Sequence, residues 1–554
     1  MATYVIVGGV AGGMSAATRL RRLDEHAEII VLERGEHVSF ANCGLPYYAG
    51  GVIEDRQALL LQTPESLAAR FRLDVRVRHE AVALDVAAHE VTVAGPDGEY
   101  TLGYDQLLLA PGARPSVPPL PGVERALTLR NVADVDALVA ALAEAPTTAV
   151  ILGGGFIGVE LAENLHARGV AVTLVEAAPQ ILAPLDEEMA AFVDNHMADM
   201  GITVLTGTRA AAITADAVEL ADGRVLPADL VVAATGVRPD TALAAAAGIA
   251  LDDRGAILVD EQHRTSAADV LAVGDAVAKV DRLDGSSTHV PLANSANRDG
   301  RTAADIIAGH AAAAGERSRT GVLGTAIVGI GGLVAAATGW NERTARAKGA
   351  DYATIHTHPF DHATYYPGAS QMHIKLVYDK PTGRILGGQV VGTSGVDKRI
   401  DVLATAIAGG LSVVDLAGID LAYAPPFGLA KDPITMLGFV ADNQATGLSE
   451  TISVTEFLTL CDTGCSVLDV RTPGEYARGH IDGALNIELD HLREHLDEVA
   501  ALPQPLVVHC AVGVRGHTAT CLLRGHGIAA VNLAGGYQTY AALAAQRSRG
   551  IHGA

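Results

Sequence analysis

Two glycine-rich turns, about 145 residues apart, constrain the fold of this chain more than any other feature. The first turn, GGVAGG, begins at Gly8 after a short β-branched stretch, and a helical segment and a second apolar stretch ending at Glu33 follow it. A unit of strand, glycine turn, helix and strand places a nucleotide pyrophosphate at the helix N-terminus and an acidic side chain at a ribose hydroxyl. Val10 stands where the middle glycine of GxGxxG would be, so this copy departs from the full pattern.

The second turn matches the pattern in full. It lies in AVILGGGFIGVELAENLHARGVAVTLVE, which begins at Ala149, and Gly153, Gly155 and Gly158 occupy the three glycine positions. Glu176 ends the strand that follows. Two such units in one chain are far more specific than either alone. We therefore predict an α/β chain with two Rossmann-like dinucleotide-binding domains.

Composition excludes several classes of function. A chain of 554 residues has room for roughly three or four domains of about 150 residues each. A net charge of −24 leaves no basic excess for general nucleic-acid binding. The five cysteines form neither a CxxC motif nor a zinc-binding pattern, so we expect a cytoplasmic protein without a metal site.

One segment has the length of a membrane span. Residues 321–340, GVLGTAIVGIGGLVAAATGW, carry no charge and meet the length criterion for a transmembrane helix. The segment is rich in glycine and threonine and lacks a basic flank, so we predict buried strands with a glycine-rich turn and no membrane association. The first residues of the chain lack a positively charged start and are interpreted as a buried strand, not as a signal peptide.

Three further segments extend the pattern. YDQLLLAPGARP (104–115) and ADLVVAATGVRPD (228–240) are strands that end in turns of small residues, and TSAADVLAVGDAV (265–277) offers Asp275 to a ribitol hydroxyl. In this order, the segments resemble the flavoprotein disulfide reductases over residues 1–445.

That resemblance implies the domain organisation. An FAD-binding domain would comprise residues 1–115 and 240–320, an inserted NAD(P)H-binding domain residues 116–239, and an α+β dimerisation domain residues 321–445. Members of this family are homodimers, so we expect a homodimer here.

The chain beyond residue 445 has a different character. ADNQATGLSE (441–450) is polar and contains glycine, which predicts a linker that lets the next domain move. Residues 467–489 and 506–537 resemble a rhodanese, so we expect an α/β rhodanese domain at 446–554. Its loop CAVGVR (510–515) follows a strand, and the loop amides can cradle an anion and lower the pKa of a thiol.

The loop CAVGVR also suggests its chemistry. Cys510 is the candidate nucleophile, and Arg515 closes the loop with a positive charge. Related phosphatase loops are one residue longer, so the six-residue loop favours sulfur over phosphate. We interpret Cys461, Cys465 and Cys521 as structural.

Cys43, in SFANCGLPYY (39–48), has no second cysteine nearby, because the next one in the chain is Cys461. Dithiol members of the resembling family carry two cysteines here. The single-cysteine members are coenzyme A-disulfide reductases, in which the cysteine pairs with the coenzyme A thiol, and NADH oxidases and peroxidases, in which it cycles through sulfenic acid. The oxidases and peroxidases have a histidine in the first glycine turn, where this chain has Ala11.

Other features near Cys43 also favour coenzyme A. Arg19 and Arg22 share one helix face at i, i+3 spacing, which suits either a solvated surface or the phosphates of coenzyme A. SFANCGLPYY resembles the coenzyme A-disulfide reductase motif, which implies that Ser39 and Asn42 hydrogen-bond the thiol partner. We therefore expect Cys43 to pair with coenzyme A.

Two tyrosines complete the expected site. TYYPGA (364–369) and AYAPPFGLAKDP (422–433) resemble segments that reach the other subunit's active site in this family. Tyr365 and Tyr423 are the expected functional positions, with Tyr366 the alternative if the match slips by one residue. A phenol there can donate a proton to a departing thiolate.

The resemblance implies FAD, NADH (with NADPH possible) and coenzyme A as cofactors. The catalytic residues would be Cys43, Cys510, Tyr365, Tyr423 and Arg515. The cofactor-binding residues would be Gly8, Ala11, Gly12, Gly13, Arg19, Arg22, Glu33, Arg34, Ser39, Asn42, Ala110, Gly112, Gly153, Gly155, Gly158, Glu160, Glu176, Gly274, Asp275, Pro291 and Ala293.

The fusion of a rhodanese domain to a disulfide reductase narrows the range of expected substrates. The combination predicts an NADH-dependent reductase of coenzyme A persulfide or polysulfide, and of coenzyme A disulfide, with the rhodanese domain relaying sulfane sulfur. The alternatives are an NADPH- or NADH-dependent coenzyme A-disulfide reductase that serves thiol redox balance, and a flavoprotein redox sensor with slow turnover.

Overall fold

The structure, a computed structural model, describes residues 2–310 and 321–552. The expected end of the FAD-binding domain, residue 320, and that of the rhodanese domain, residue 554, both lie outside the described residues. The helices are α1 Ala11–Leu23, α2 Leu45–Gly50, α3 Pro64–Phe71, α4 Val132–Ala143, α5 Phe156–Ala167, α6 Glu187–Met200, α7 Ala242–Ala246, α8 Ala293–Ile307, α9 Glu342–Ala347, α10 Val396–Gly409, α11 Pro433–Ala445, α12 Val454–Thr463, α13 Pro473–Ala477, α14 Leu496–Ala500, α15 Val514–Gly525 and α16 Gly536–His552.

The strands are short, and most have two to six residues. They are β1 Thr3–Val7, β2 Glu28–Glu33, β3 Asp74–Val77, β4 Glu80–Asp85, β5 Glu90–Gly95, β6 Gly98–Gly103, β7 Gln106–Leu109, β8 Ala113–Pro115, β9 Thr148–Leu152, β10 Ala171–Val175, β11 Thr203–Leu205, β12 Ala210–Ile213, β13 Ala217–Leu220, β14 Val225–Pro227, β15 Leu230–Ala233, β16 Val237–Pro239, β17 Val270–Ala272, β18 Lys279–Val280, β19 Ser287–Thr288, β20 Ala326–Ile330, β21 Leu333–Gly339, β22 Tyr352–Thr357, β23 Met372–Asp379, β24 Ile385–Gly392, β25 Thr451–Ile452, β26 Ser466–Asp469, β27 Leu485–Asn486, β28 Leu506–His509 and β29 Val531–Leu533.

The chain divides into two compact units, and the first comprises residues 1–177 and 208–324. Its larger sheet has the order β17-β7-β1-β2-β3, and all its neighbouring strands are parallel. Its central strands are nearly continuous apolar runs, as expected where helices or further layers cover both faces. Helices α1 and α8 pack closely because each has a glycine at their contact. A β-carbon on Gly300 would lie 2.1 Å from the carbonyl oxygen of Gly12.

A second parallel set, β10-β9-β15, belongs to the same unit and carries the second glycine turn after β9. Two antiparallel three-stranded sheets, β4-β5-β6 and β12-β13-β14, accompany the two parallel sets. The first unit thus contains two sets of parallel strands, each with a glycine turn, as the two glycine turns predict.

The second unit comprises residues 178–207 and 325–554. Its first sheet has the order β20-β21-β24-β23-β22 and is antiparallel throughout. The uncharged segment 321–340 supplies β20 and β21, joined at Gly331 and Gly332, both with positive φ. The expectation of strands with a glycine-rich turn is therefore confirmed. Within the described residues, no helix is both long and apolar enough to cross a membrane.

The second unit also contains a parallel sheet of order β25-β29-β28-β26-β27, built entirely from residues after 450. Strands β26 and β28 are its buried centre, and Cys510 follows β28 directly. Helix α16 packs on α6 of the same unit, where Asn195 Nδ2 donates to the carbonyl oxygen of Ala542 at 3.0 Å and Arg547 makes a bidentate ion pair with Glu187.

The prediction of a mobile linker at 441–450 is wrong. Residues 433–445 form α11, which begins with Asp432 as its N-cap and Pro433 in its first turn, so only residues 446–450 lie between α11 and β25. Gln444 Nε2 donates to the Thr354 carbonyl oxygen at 3.1 Å and to Thr451 Oγ1 at 2.6 Å. The polar composition of this stretch reflects the surface of a helix, and the helix is bonded at its C-terminal end.

A buried charge cluster lies where α6 meets the antiparallel sheet. Lys375 on β23 is 0% exposed, and its ammonium pairs with Glu188, with Asp186 Oδ2 at 2.8 Å and with Glu342 Oε2 at 3.3 Å. His356 Nε2 lies 2.8 Å from Glu188 Oε1. Burial alone would lower the pKa of Lys375, but the three carboxylates outweigh it and raise that pKa. The cluster therefore depends on one cation.

We predict that Lys375→Met strongly destabilises the protein, because it leaves buried carboxylates without their counter-ion. Removing one partner of a buried ion pair costs about 3–5 kcal/mol. The measurement is the Tm of the purified holoenzyme at fixed protein concentration. Lys380→Met is the matched control, because Lys380 pairs with Asp351 at 3.8 Å in an exposed position and should leave the Tm nearly unchanged. Equal Tm values for the two variants would contradict the prediction.

Candidate active site

The first glycine turn leaves no room for a side chain at Gly8 or at Gly13. Gly8 has a φ of +105°, and a β-carbon on it would lie 2.1 Å from the Ala110 carbonyl oxygen. A β-carbon on Gly13 would lie 1.9 Å from the Gly8 carbonyl oxygen. Glu33, at the end of β2, accepts from the Gly9 amide through Oε2 and from the Gly35 amide through Oε1, both at 2.8 Å. The turn and the carboxylate thus fit a dinucleotide at the N-terminus of α1.

The second turn repeats this geometry. A β-carbon on Gly153 would lie 2.4 Å from the Ala234 carbonyl oxygen, and one on Gly158 would lie 2.0 Å from the Gly153 carbonyl oxygen. Around Gly155, by contrast, no heavy atom lies within 4 Å of the β-carbon position. This open space at the N-terminus of α5 fits a pyrophosphate that approaches the backbone closely. Glu176 Oε2 accepts from the Gly154 amide at 2.6 Å.

The other residues expected to bind the first cofactor lie on several elements of the same unit. Ala11 and Gly12 begin α1, Ala293 begins α8 two residues after Pro291, and Gly112 and Gly274 have φ values of +73° and +82°. Arg34 pairs with Asp240 at 2.8 Å.

Cys43 lies in a single helical turn, Asn42–Gly44, that leads into α2. The residue is exposed. Burial of its sulfur and the negative charges of Glu160 and Asp275 raise the pKa of the Cys43 thiol, and Arg130 partly opposes them. The free thiol therefore keeps its proton at neutral pH.

Glu160 connects the second glycine turn to the Cys43 segment. It lies on α5, and the Tyr47 hydroxyl on α2 donates to Glu160 Oε1 at 3.1 Å. The two helices pack closely, since a β-carbon on Gly50 would lie 2.0 Å from Asn164 Oδ1. Burial and Glu160 raise the pKa of Tyr47 to about 12, and burial raises that of Glu160.

Arg130 is a site residue that the sequence did not reveal. Its Nη2 donates to Asp275 Oδ2 at 3.1 Å and its Nε to the Ala113 carbonyl oxygen at 3.1 Å. When the Asn42 side-chain amide is oriented so that both its nitrogen and its oxygen are hydrogen-bonded, its oxygen accepts from Arg130 Nη1 at 3.2 Å. Arg130 thus links Asp275 to the residue before Cys43. It belongs to no motif, so only the folded chain reveals it.

The two arginines expected to bind coenzyme A phosphates differ in their surroundings. Arg19 Nε donates to Asp305 Oδ1 at 2.7 Å, and this carboxylate is almost fully buried. Arg22 is exposed, and its guanidinium lies 6.0 Å from the centre of the Phe71 ring. Arg21, between them, is buried and donates to the carbonyl oxygens of four residues, so it stabilises the local fold. Ser39 has a φ of +47°, and its amide donates to the Gly9 carbonyl oxygen.

In the second unit, Tyr365 and Tyr423 are in direct contact, with their hydroxyl oxygens 2.9 Å apart. Both side chains are exposed, at 75% and 46%. The hydrogen bond with Tyr423 raises the pKa of Tyr365. Tyr366 instead packs edge-on against His362. The structure therefore pairs the two tyrosines that the sequence selected.

One buried arginine holds both tyrosine segments. Arg399 Nη2 donates to the Asp361 carbonyl oxygen at 2.9 Å, four residues before Tyr365. The same nitrogen donates to Asp432 Oδ2 at 3.0 Å, at the end of the segment that contains Tyr423. Arg399 is 1% exposed, so these bonds are shielded from water.

Cys510 is fully buried at the end of β28, and the Gly513 amide donates to its Sγ at 3.2 Å. Arg515 makes a bidentate pair with Glu475, at 2.8 and 2.6 Å, and this pair holds the pKa of Glu475 at about 2. The positive charge expected for the loop is therefore shared with a carboxylate. The Tyr537 amide donates to the Cys510 carbonyl oxygen at 2.8 Å, so α16 begins against the loop.

Comparison with known protein families divides the chain into three matched regions. Residues 2–300 match the pyridine nucleotide-disulphide oxidoreductase family, residues 322–432 match the dimerisation domain of the same oxidoreductases, and residues 453–543 match the rhodanese-like domain.

Curated relatives are similar over four fifths of the chain. The coenzyme A disulfide reductase of Staphylococcus aureus is 34% identical over 446 residues, which are 80% of this chain and 100% of that protein. The coenzyme A disulfide reductase of Staphylococcus epidermidis is 32% identical over 444 residues, with the same coverage.

Solved structures are similar over nearly the whole chain. The reduced CoADR-RHD of Bacillus anthracis is 43% identical, with a TM-score of 0.95 and 99% of each chain covered. A NAD-dependent persulfide reductase from A. fulgidus is 36% identical, with a TM-score of 0.91, 97% of this chain covered and 100% of that chain.

We predict that Glu160→Gln makes Cys43 react faster at neutral pH. The thiolate is the reactive form, and the Glu160 charge helps to raise the pKa of the thiol, so its removal shifts the rise of reactivity to lower pH. The measurement is the rate of Cys43 alkylation by iodoacetamide against pH, on holoenzyme first treated with a reducing thiol. Glu163→Gln, one helical turn away, is the control and should change the profile less. A slower Glu160→Gln variant would contradict the prediction.

Proposed function

This chain belongs to the pyridine nucleotide-disulphide oxidoreductase family, and on that premise we propose that it reduces coenzyme A persulfide and coenzyme A disulfide with NADH. The observation that carries the proposal is an exposed thiol, Cys43, beside two dinucleotide folds and with no second cysteine before residue 461. Such a thiol can form a disulfide only with a sulfur partner from outside its own segment. Relatives with the names coenzyme A disulfide reductase and persulfide reductase support coenzyme A and persulfides as that partner.

The first turn, with Gly8, Gly13 and Glu33, and the Asp275 carboxylate fit FAD, and the turn at Gly153 fits the nicotinamide nucleotide. Members of this family use both, and together they supply two electrons from NADH for the reduction of a disulfide. Arg130 positions Asp275 and the Cys43 segment together, so one guanidinium aligns the cofactor side of the site with its sulfur side.

Cys43 supplies the nucleophile. Its thiolate attacks the sulfur of coenzyme A persulfide that bears coenzyme A; a mixed disulfide between Cys43 and coenzyme A forms, and hydrosulfide leaves with the electrons of the broken sulfur–sulfur bond. Two electrons and two protons then cleave the mixed disulfide into the Cys43 thiol and coenzyme A. With coenzyme A disulfide as the substrate, the leaving group is coenzyme A thiolate.

The tyrosine pair supplies a proton to the leaving group. Tyr365 and Tyr423 share one hydrogen bond. A phenol that gives up its proton to the leaving group can therefore be reprotonated by the other phenol. The raised pKa of Tyr365 keeps it protonated at neutral pH. By analogy with the family's homodimers, we propose that the pair serves the Cys43 site of the other subunit.

Cys510 carries sulfane sulfur. A persulfide on Sγ would meet the Gly513 amide, and the Arg515–Glu475 pair closes the loop beside it. The contacts of α16 hold the rhodanese-like domain against α6. We therefore propose that Cys510 relays sulfur from this docked position, without a swinging movement of the domain.

A plain coenzyme A-disulfide reductase is the second candidate. It is favoured by the two Staphylococcus relatives, which match 80% of this chain and carry that name. The two candidates differ in the need for Cys510, and the next experiment separates them.

We predict that Cys43→Ser abolishes NADH-linked reduction of coenzyme A persulfide and retains sulfur transfer from thiosulfate. Cys510→Ser should abolish thiosulfate sulfur transfer, slow the reduction of polysulfide, and spare the reduction of coenzyme A persulfide. The physical reason is that Cys43 lies in the unit that contains both glycine turns, whereas Cys510 lies in the loop after β28, where the Gly513 amide donates to its sulfur. The measurements are NADH oxidation and thiosulfate sulfurtransferase activity.

Cys521→Ser is the matched control, because Cys521 is half-buried in the same rhodanese-like domain and should affect neither activity. Full persulfide reduction by Cys43→Ser would refute the mechanism. Unchanged polysulfide reduction by Cys510→Ser would refute the relay and favour the plain coenzyme A-disulfide reductase.

We predict a preference for NADH over NADPH that depends on Glu176. A carboxylate there accepts from the ribose 2′-hydroxyl and repels a 2′-phosphate. Glu176→Gln keeps an acceptor for the Gly154 amide but removes the charge. The loss of a charged hydrogen bond, worth about 1.5–3 kcal/mol, should lower kcat/KM for NADH about tenfold or more while raising it for NADPH. Steady-state kinetics with both nucleotides test this, and equal efficiencies in the unmodified protein would contradict it.

A further inference from the structure

Cys461 and Cys465 form a close thiol pair in the rhodanese-like domain. Cys461 lies in the last turn of α12, and Cys465 directly precedes β26. Their sulfur atoms are 3.1 Å apart. Gly464, with a φ of +98°, turns the chain between them, and its amide donates to the Cys461 carbonyl oxygen at 3.1 Å. The end of a helix and the start of a strand thus bring two thiols into hydrogen-bonding contact.

The surroundings of the pair are apolar but leave it accessible. Both cysteines pack against a cluster of buried residues that includes Phe457 and Val507. Both are only half-buried, so a small solute can reach them. A disulfide requires the two sulfurs to approach further by about 1 Å, which side-chain rotation can supply.

We propose that Cys461 and Cys465 are a second sulfur-reactive site, a dithiol that is oxidised to a disulfide by small persulfides. The inference rests on the proposed function only in that persulfides are the substrates this protein meets. Cys461 takes the sulfane sulfur of a persulfide RSSH and releases RSH; Cys465 then attacks Cys461, and hydrogen sulfide leaves. In sum, RSSH and two thiols give RSH, hydrogen sulfide and one disulfide, so atoms and electrons balance.

This chemistry is independent of Cys510. Strands β26 and β28 are parallel, and Ser466 pairs with Leu506, four residues before Cys510. At about 3.3 Å per residue, the pair lies roughly 13 Å from Cys510, at the opposite end of the sheet. Cys510 cannot pass its sulfur to the pair directly, so the persulfide must arrive from solution.

The pair reacts slowly at neutral pH. Burial and the hydrogen bond with Cys465 raise the pKa of Cys461. Because the thiolate is the nucleophile, the disulfide should form faster at pH 9 than at pH 7. The site thus responds to sustained persulfide and does not compete with rapid loading of Cys510.

The experiment uses the reduced holoenzyme without NADH. It is incubated with excess glutathione persulfide at pH 7, 8 and 9, quenched with acid, alkylated with iodoacetamide and digested, and the cysteine-containing peptides are weighed. The expected result is a peptide with Cys461 and Cys465 that has lost both alkylation sites and two hydrogens. The proposal is overturned if both cysteines remain alkylated under conditions that load Cys510 with sulfur.

Matched variants make the result specific. In Cys465→Ser, Cys461 should remain open to alkylation or retain a persulfide, and the disulfide peptide should disappear. Cys521, half-buried near His517 in the same domain, should stay alkylated. In Cys510→Ser the disulfide should form at an unchanged rate; a rate at least tenfold lower would overturn the claim of independence.

This test is separable from that of the proposed function. The disulfide forms without NADH and should form equally in Cys43→Ser. NADH oxidation with coenzyme A persulfide should in turn be unchanged in Cys461→Ser. Failure of NADH-linked reduction with normal disulfide formation would refute the proposed function alone, and the reverse result would refute the second site alone.

Discussion

In each of the two glycine turns, a carbonyl oxygen stands where a β-carbon would otherwise be. The Ala110 oxygen excludes any side chain at Gly8, and the Ala234 oxygen excludes one at Gly153. This crowding lets each helix begin directly at the end of its strand, with its first amides turned toward the nucleotide site. The carboxylates of Glu33 and Glu176 then accept hydrogen bonds from the turn amides of Gly9 and Gly154. Glu160 lies on the helix that follows the second turn.

The charges around Cys43 favour a disulfide over a free thiolate. Burial raises the pKa of the thiol, Glu160 and Asp275 raise it further, and Arg130 compensates only in part. A mixed disulfide carries no charge on sulfur, so these carboxylates do not destabilise it. The same environment makes the thiolate a strong nucleophile when it forms, because nucleophilicity rises with pKa. A site of this kind suits a cysteine that rests as a mixed disulfide and attacks as soon as it is released.

The sequence predicts what depends on local pattern. Gly153, Gly155 and Gly158 lie in a strand–turn–helix unit as expected, and the uncharged segment is a β-hairpin as expected. The Tyr365–Tyr423 pair follows from family resemblance, since 58 residues separate the two in the chain. By contrast, the Tyr47–Glu160 bond joins residues 113 apart, and the Arg130–Asp275 bond residues 145 apart, so no motif contains both partners.

The errors of the sequence interpretation have the same origin. Polar and glycine residues at 441–450 indicated a linker, but Asp432 caps a helix upstream and Gln444 bonds across to Thr354. The expected charge on Arg515 is real, yet its partner Glu475 is 40 residues away and could not be inferred from the loop. Local composition reports exposure and turn tendency, whereas the partner of a charge is decided by tertiary packing.

Helix α16 ties the position of Cys510 to the antiparallel sheet of its unit. Its first turn bonds the Cys510 carbonyl oxygen through the Tyr537 amide, and two residues later Thr539 Oγ1 lies 2.9 Å from His358 Nε2. His358 Nδ1 lies 2.7 Å from His373 Nδ1, and burial lowers the pKa of His373 to about 4. A hydrogen bond between two imidazole nitrogens needs one of them unprotonated. Burial lowers the pKa of His358 as well, so this condition is met at neutral pH. The rhodanese-like domain is therefore docked within its unit by neutral contacts as well as ion pairs, and these contacts fix the position of the Cys510 loop in that unit.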